Sequence, residues 1–171
     1  MLTFTENLTS EVKKIALMNE LDYVGITPVE RLTNAPEGFK PTNLLPSAKS
    51  AVSLGVKLSR GVAEANRRAY SGYRHGIYTY VMHGYILLNR NLDENALRLT
   101  RFLEKRGYTT LPIPASRPFD PLELKGAISH RHVAVAAGLG EFGWNTLLVT
   151  PDSGPRVRLT TVLTEAELEP N

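Results

Sequence analysis

The 171-residue chain contains no cysteine. Disulfides, thiolate zinc sites, cysteine nucleophiles and any iron–sulfur cluster held by its own thiolates are thereby excluded. No run approaches the roughly 20 apolar residues of a membrane span. The opening stretch carries Glu6, Glu11, Lys13 and Lys14 where a signal peptide needs an unbroken apolar segment. The expectation is a cytoplasmic protein with no membrane association. Internal repeats, low-complexity tracts, a G-x-S-x-G elbow, a hydrolase triad and a P-loop are also missing.

What is present suits one folded domain over residues 1–171. The composition is 42% hydrophobic and 22% charged, ordinary for a globular chain and far from a disordered one. The net charge is only +3, yet it is uneven: residues 57–106 hold ten Lys/Arg against four Asp/Glu. Such an excess permits an anionic partner without requiring one.

Helical spacing of Leu8, Val12, Ile15, Ala16 and Met18 predicts a first helix over about 5–21. Tyr23–Val29 reads as a buried strand closed by Pro28, and 33–47, with Pro36, Gly38, Pro41 and Pro46, as loop. Ala51–Leu58 reads as a second strand. A long helix is predicted from Gly76 to Arg106, with Gly107 placed to end it. Pro112 and Pro114 make 109–115 extended but unsuited to a central strand. A short helix over 129–137 leads into Gly138. The tail predicts a hairpin of NTLLVT and RVRLTTVLT about the turn PDSGP, with Leu159, Thr161 and Leu163 on one face and Arg158, Thr160 and Val162 on the other. The sum is a mixed α/β (α+β) domain with a small sheet and one long helix.

Gly138-Leu139-Gly140-Glu141-Phe142-Gly143 matches G-x-G-x-x-G, and Glu165 follows about 20 residues later. A dinucleotide fingerprint needs a strand before the loop and a helix after it. Here Trp144–Val149 is β-prone and Pro151, Gly154 and Pro155 follow, so that reading is set aside. Two readings remain: a steric one, with Gly138 capping a helix, and a functional one, in which bare backbone amides receive a flat or phosphate-bearing ligand. His130 and His132 would diverge by about 200° on a helix, which argues against a shared metal site. Either could shuttle a proton. Tyr70, Tyr73, Tyr78, Tyr80 and Tyr85 cluster with Arg67, Arg68 and Arg74, a pattern that suits RNA contact and equally a protein interface.

The segment 129–170, with AGLGEFGWNTLLVTPDSGPRVR and then VLTEAELEP, resembles the epoxyqueuosine reductase and reductive dehalogenase family. Leu21–Ile26 and Leu45–Val52 are similar to two earlier family stretches. The resemblance implies a nitroreductase-like domain that binds cobalamin, with FMN as the alternative cofactor and a flavin-dependent reductase as the alternative activity. It places Gly138, Leu139, Gly140, Gly143, Trp144, Asn145 and Thr146 at the cofactor, and Arg156 and Arg158 at phosphate or propionamide groups. Tyr80 and His130 are the candidate proton donors, and no metal ligand is named. In the family a ferredoxin-like domain with two cysteine-bound clusters follows the L-E-P of Leu168, Glu169 and Pro170. This cysteine-free chain lacks that electron supply, so the expectation is a fragment or a lone cofactor-binding domain that is served, if active, by an iron–sulfur domain or protein. The aspartate expected about fourteen residues before G-L-G falls on Leu124, with Asp120 and Glu123 nearby. The substrate is left open between a small molecule and tRNA. A homodimer is compatible with the sequence. A third reading is a non-enzymatic module that uses the Tyr/Arg patch.

Overall fold

The computed structural model describes residues 4–116, 119–120 and 125–171. Helix α1 (Phe4–Met18) leads into strand β1 (Tyr23–Pro28), a 3-10 turn (Val29–Leu32) and the short helix α2 (Pro41–Leu44). Strand β2 (Ser50–Lys57) and helix α3 (Arg60–Ala69) follow. Helix α4 (His75–Thr79), a π segment (Tyr80–Ile86) and helix α5 (Leu87–Glu104) run on as one helix. The remaining described elements are β3 (Thr110–Ile113), β4 (Phe119–Asp120), β5 (Lys125–Gly126), α6 (His130–Ala136), β6 (Glu141–Phe142), β7 (Leu148–Val149) and β8 (Val157–Thr164).

The main sheet has the order β1-β2-β8-β3 and every pairing is antiparallel. Alternation sorts its residues between two faces. Val52, Leu54 and Val162 pack beneath Val12 and Ala16 of α1 and Leu92, Ala96, Leu99 and Leu103 of α5. Ala51 and Leu163 pack on the other side with Val29, Leu32 and Val133 of α6. Each fully buried leucine contributes roughly 1.5–3 kcal/mol of transfer free energy. Strand β3 sits at the sheet edge, where Pro112 deprives no neighbouring strand of a central ladder donor. The mixed α/β architecture is as expected, and so are the faces assigned to β8.

The expected tail hairpin is corrected. Strand β7 pairs with β6, whereas β8 lies inside the sheet between β2 and β3. Both faces of β8 are buried, with Thr160, Thr161, Val162 and Leu163 all at 0% exposure, so it needs a strand on each side. The intervening turn closes on itself, through Thr150 N–H to the Gly154 carbonyl at 3.0 Å and Gly154 N–H to the Thr150 carbonyl at 2.9 Å. Side chains fasten that turn to β1 and β2. The Tyr23 hydroxyl meets Ser153 Oγ at 2.8 Å and Asp152, and Lys57 Nζ lies 2.6 Å from Asp152. The hydrogen bonds from Lys57 and then Tyr23 pull the Asp152 carboxyl down to about 2.

Two further differences concern helices. Helix α3 has no fully buried residue; its Val62, Ala65 and Ala69 recur at helical spacing but are small and only half-buried. The long helix widens at its π segment, where Arg158 of β8 meets it. The guanidinium donates to the Gly84 carbonyl at 2.6 Å and to the Tyr80 hydroxyl at 3.1 Å, and stacks 4.3 Å from the Tyr85 ring centroid. A π turn alters the internal ladder and leaves a carbonyl available to an outside donor.

Candidate functional site

Helix α6 organises the site. Ser129 caps its start, accepting from His132 N–H at 3.5 Å and bonding His132 Nδ1 at 2.7 Å. Its end is a Schellman closure, with Gly138 N–H on the Val135 carbonyl at 2.9 Å and Leu139 N–H on the Ala134 carbonyl at 3.0 Å. Gly138 takes φ +72°, the left-handed conformation this closure requires and glycine adopts without strain. The steric reading of that glycine therefore holds.

Beyond it the chain forms the β6–β7 hairpin. Gly143 N–H donates to the Leu147 carbonyl and Thr146 N–H to the Gly143 carbonyl, both at 2.9 Å. Gly140 lies directly against Val149, leaving no room for a side chain. Trp144 at the tip is fully exposed, and Asn145 turns its Oδ1 onto Leu147 N–H at 3.2 Å. Thr146 sits at φ +60°, a strained setting for a β-branched residue. Arg131 of α6 holds it there through its carbonyl at 2.6 Å and hydroxyl at 3.0 Å.

A cavity of about 1020 Å³ opens on the other side of α6, between that helix, the 31–41 segment and residues 125–129. This is at the upper end of the range for small-molecule and cofactor sites. Apolar side chains including Leu32, Phe39, Val133 and Ala136 line it, along with Arg31, Lys125, His130, Arg131 and His132. No carboxylate is among the described lining residues. Of the glycine-rich segment only Phe142 reaches this cavity, where its ring lies 4.7 Å from that of His132.

The two histidines of α6 differ in availability. His130 Nε2 meets the Pro114 carbonyl at 3.0 Å and Nδ1 meets the Thr161 hydroxyl at 2.8 Å. A carbonyl only accepts, so Nε2 carries the proton and Thr161 donates to Nδ1. Burial holds its pKa below the ordinary histidine value. Folding thus favours neutral His130, and its contribution is present above the unfolded pKa of about 6.5 and lost as pH falls below it. Stability is expected to drop on acidification from about pH 6.5, and His130→Asn is expected to flatten that limb of a pH series of urea unfolding curves. Equal slopes in the two proteins would refute the assignment. His132 engages only Nδ1 among the described residues, and its exposed ring faces Phe142.

The other anticipated residues are elsewhere. Leu139 packs with Leu148 and Leu159. Arg156 donates to the Leu58 carbonyl at 3.2 Å. Arg158 and Tyr80 meet each other at the π segment, across the sheet from α6. Tyr70, Tyr73 and Tyr78 are exposed, Arg68 lies 5.7 Å from the Tyr73 ring centroid, and Arg67 pairs with Glu64 at 2.7 Å. Glu123, Leu124 and the side chain of Asp120 lie outside the described residues. Sequence reasoning missed Arg31, Lys125 and Arg131, which sit in no common motif and converge only through the fold. No group of three or more potential metal ligands occurs among the described residues, and no helix there is long and apolar enough to cross a membrane.

No protein-family model matches the chain. Over 81 residues, 47% of the chain, it is 37% identical to tetrachloroethene reductive dehalogenases of Desulfitobacterium hafniense and Dehalobacter restrictus, of which the match covers 13%. An epoxyqueuosine reductase solved with a modified tRNA-Tyr stem loop aligns at TM-score 0.63 and 21% identity, over 96% of this chain and 47% of that one. A reductive dehalogenase whose structure suggested a mechanism for B12-dependent dehalogenation aligns at TM-score 0.61 and 18% identity, over the whole of this chain and 21% of that one. The chain thus spans less than half the length of these relatives. Their fold is its fold, and the resemblance read from the sequence is borne out. The nitroreductase-like description has no support among them.

Proposed function

We propose that this chain, a relative of reductive dehalogenases and epoxyqueuosine reductases, is the corrinoid-binding part of a cobalamin-dependent reductase. The observation that carries the reading is the large cavity beside α6, in a fold shared with a B12-dependent dehalogenase. The residues present fit the group. Leu32, Phe39, Val133 and Ala136 offer apolar surface to a broad planar ring system, and the polar and cationic side chains suit its amide and phosphate periphery. When bound, a corrinoid supplies the electron-transfer chemistry of reductive bond cleavage.

The chain's own residues bind, orient and handle protons. Gly138 and the Ser129 cap fix both ends of α6, and Arg131 fixes the hairpin to it. Phe142 and His132 together close one side of the cavity. His132 Nε2 is the atom that holds an exchangeable proton there, since both nitrogens of His130 are engaged. In this reading electrons reach the site from an iron–sulfur donor of the kind the family resemblance implies, since these 171 residues hold no thiolate for a cluster. Its reducible substrate is a small molecule or a modified nucleoside of tRNA, the class handled by one of its structural neighbours.

Hydroxocobalamin mixed with the purified chain is expected to change its visible spectrum and to co-elute in gel filtration. A colourless protein peak sinks the proposal. Retained yellow FMN instead supports the flavin-dependent alternative. Retention of neither, with salt-sensitive RNA binding, points to a binding module built on the Tyr/Arg patch.

A further inference from the structure

We propose that Arg31 and Arg131 form a phosphate-binding pair that takes the nucleotide tail of the corrinoid, an assignment that rests on the reading above. Three arginines are neutralised by a carboxylate: Arg67 pairs with Glu64, Arg90 with Glu94 and Arg106 with Glu11, at 2.7 to 2.9 Å. Arg98, Arg156 and Arg158 donate to neutral oxygens instead, and so do Arg31 and Arg131, which differ from those three in lining the cavity. Arg31 donates Nη1 to the Ala136 carbonyl at 3.1 Å. Arg131 donates Nη1 to the carbonyl and hydroxyl of Thr146.

Both anchors are uncharged oxygens, so they orient each guanidinium without cancelling its charge. Each anchor engages one nitrogen and leaves Nε and Nη2 without a partner among the described residues. Two oriented cations therefore face a largely apolar cavity whose described walls carry no carboxylate. Two cations on the wall of one cavity favour an anion there. A guanidinium held in place by its own protein also loses little freedom when it grips a phosphate through paired N–H groups. The periphery of cobalamin is made of uncharged amide arms and a single phosphodiester, so the phosphodiester is the group this pair selects. The ring system is then left to the apolar walls.

Cobinamide, which lacks the nucleotide tail, separates the two contributions. The full chain is titrated with hydroxocobalamin and with aquocobinamide, following the visible spectrum. Wild type is expected to prefer cobalamin by about tenfold or more. Arg31→Gln is expected to lose most of that preference while cobinamide affinity stays within about twofold, which also shows that the variant keeps a folded pocket. Arg131→Gln also releases Thr146 and the hairpin, so it is expected to weaken both ligands, and cobalamin the more. Equal affinity of wild type for both ligands overturns the assignment and leaves the corrinoid reading intact. Equal weakening of both ligands in Arg31→Gln also overturns it, because the arginine then only supports the pocket. Failure of both ligands to bind wild type refutes the corrinoid reading itself, and this assignment with it.

Discussion

Alanine at Gly140 is expected to cost about 3 kcal/mol of stability, the upper end of the usual overpacking penalty, and to abolish the corrinoid binding proposed above. A Cβ at this position would lie 2.3 Å from the Val149 carbonyl oxygen and 3.0 Å from its carbon. These are main-chain atoms, so no side-chain rotation relieves the overlap and the β6–β7 hairpin has to open. Opening it draws Phe142 away from the cavity and Thr146 away from Arg131. Urea unfolding and hydroxocobalamin titration of the same variant read both consequences. Gly138→Ala is the matched control: nothing lies within 4 Å of a Cβ there, and only the positive φ opposes it. That costs about 1–2 kcal/mol and leaves the hairpin closed. A Gly140→Ala protein that melts and binds as wild type does would show that the hairpin does not shape the site.

Leu99→Ala is expected to cost about 3–5 kcal/mol by creating a cavity between α5 and the sheet. Leu99 is at 0% exposure among Leu92, Ala96, Leu103, Val52 and Val162. Helix α5 cannot sink into the gap, because Arg158 ties the π segment to β8 just ahead of it and the other leucines hold the helix at its present height. The candidate site is on the opposite face of the sheet. At temperatures where the variant is folded, its ligand affinity is therefore expected to match wild type. Leu97→Ala, on the exposed side of the same helix at 44% exposure, should change stability by less than about 0.5 kcal/mol. Comparable losses at the two positions, by thermal or urea unfolding, would contradict this account of the core.

The readability of each element follows from where its information lies. Helix α5 was legible because Leu92, Ala96, Leu99 and Leu103 repeat at helical spacing, and that repeat is the physical condition for covering a sheet with one helix face. Helix α3 is harder to read because its apolar side is short and made of small residues, Val62, Ala65 and Ala69. The alternation of β8 gave its faces correctly, yet alternation says nothing about which strands lie alongside. Proximity in the chain suggested NTLLVT as its partner. The buried edges of β8 instead needed β2 and β3, which are distant in sequence. At the site, the family-like motif identified the hairpin beside the cavity. It did not identify Arg31 or Arg131, whose significance lies in the oxygens that hold them.

The sequence alone determined the lack of thiolates in these residues, the mixed α/β class and the resemblance to reductive dehalogenases and epoxyqueuosine reductases, because each depends on residue identity or on short-range spacing. The tertiary structure decided the rest: the order β1-β2-β8-β3, the widening of the long helix around Arg158, and the separation of Tyr80 and Arg158 from the cavity beside α6. The physical reason is that pairing and desolvation act between groups far apart in the chain. A histidine with both nitrogens bonded and another with one left over look alike in the sequence and differ only in what the fold brings to them.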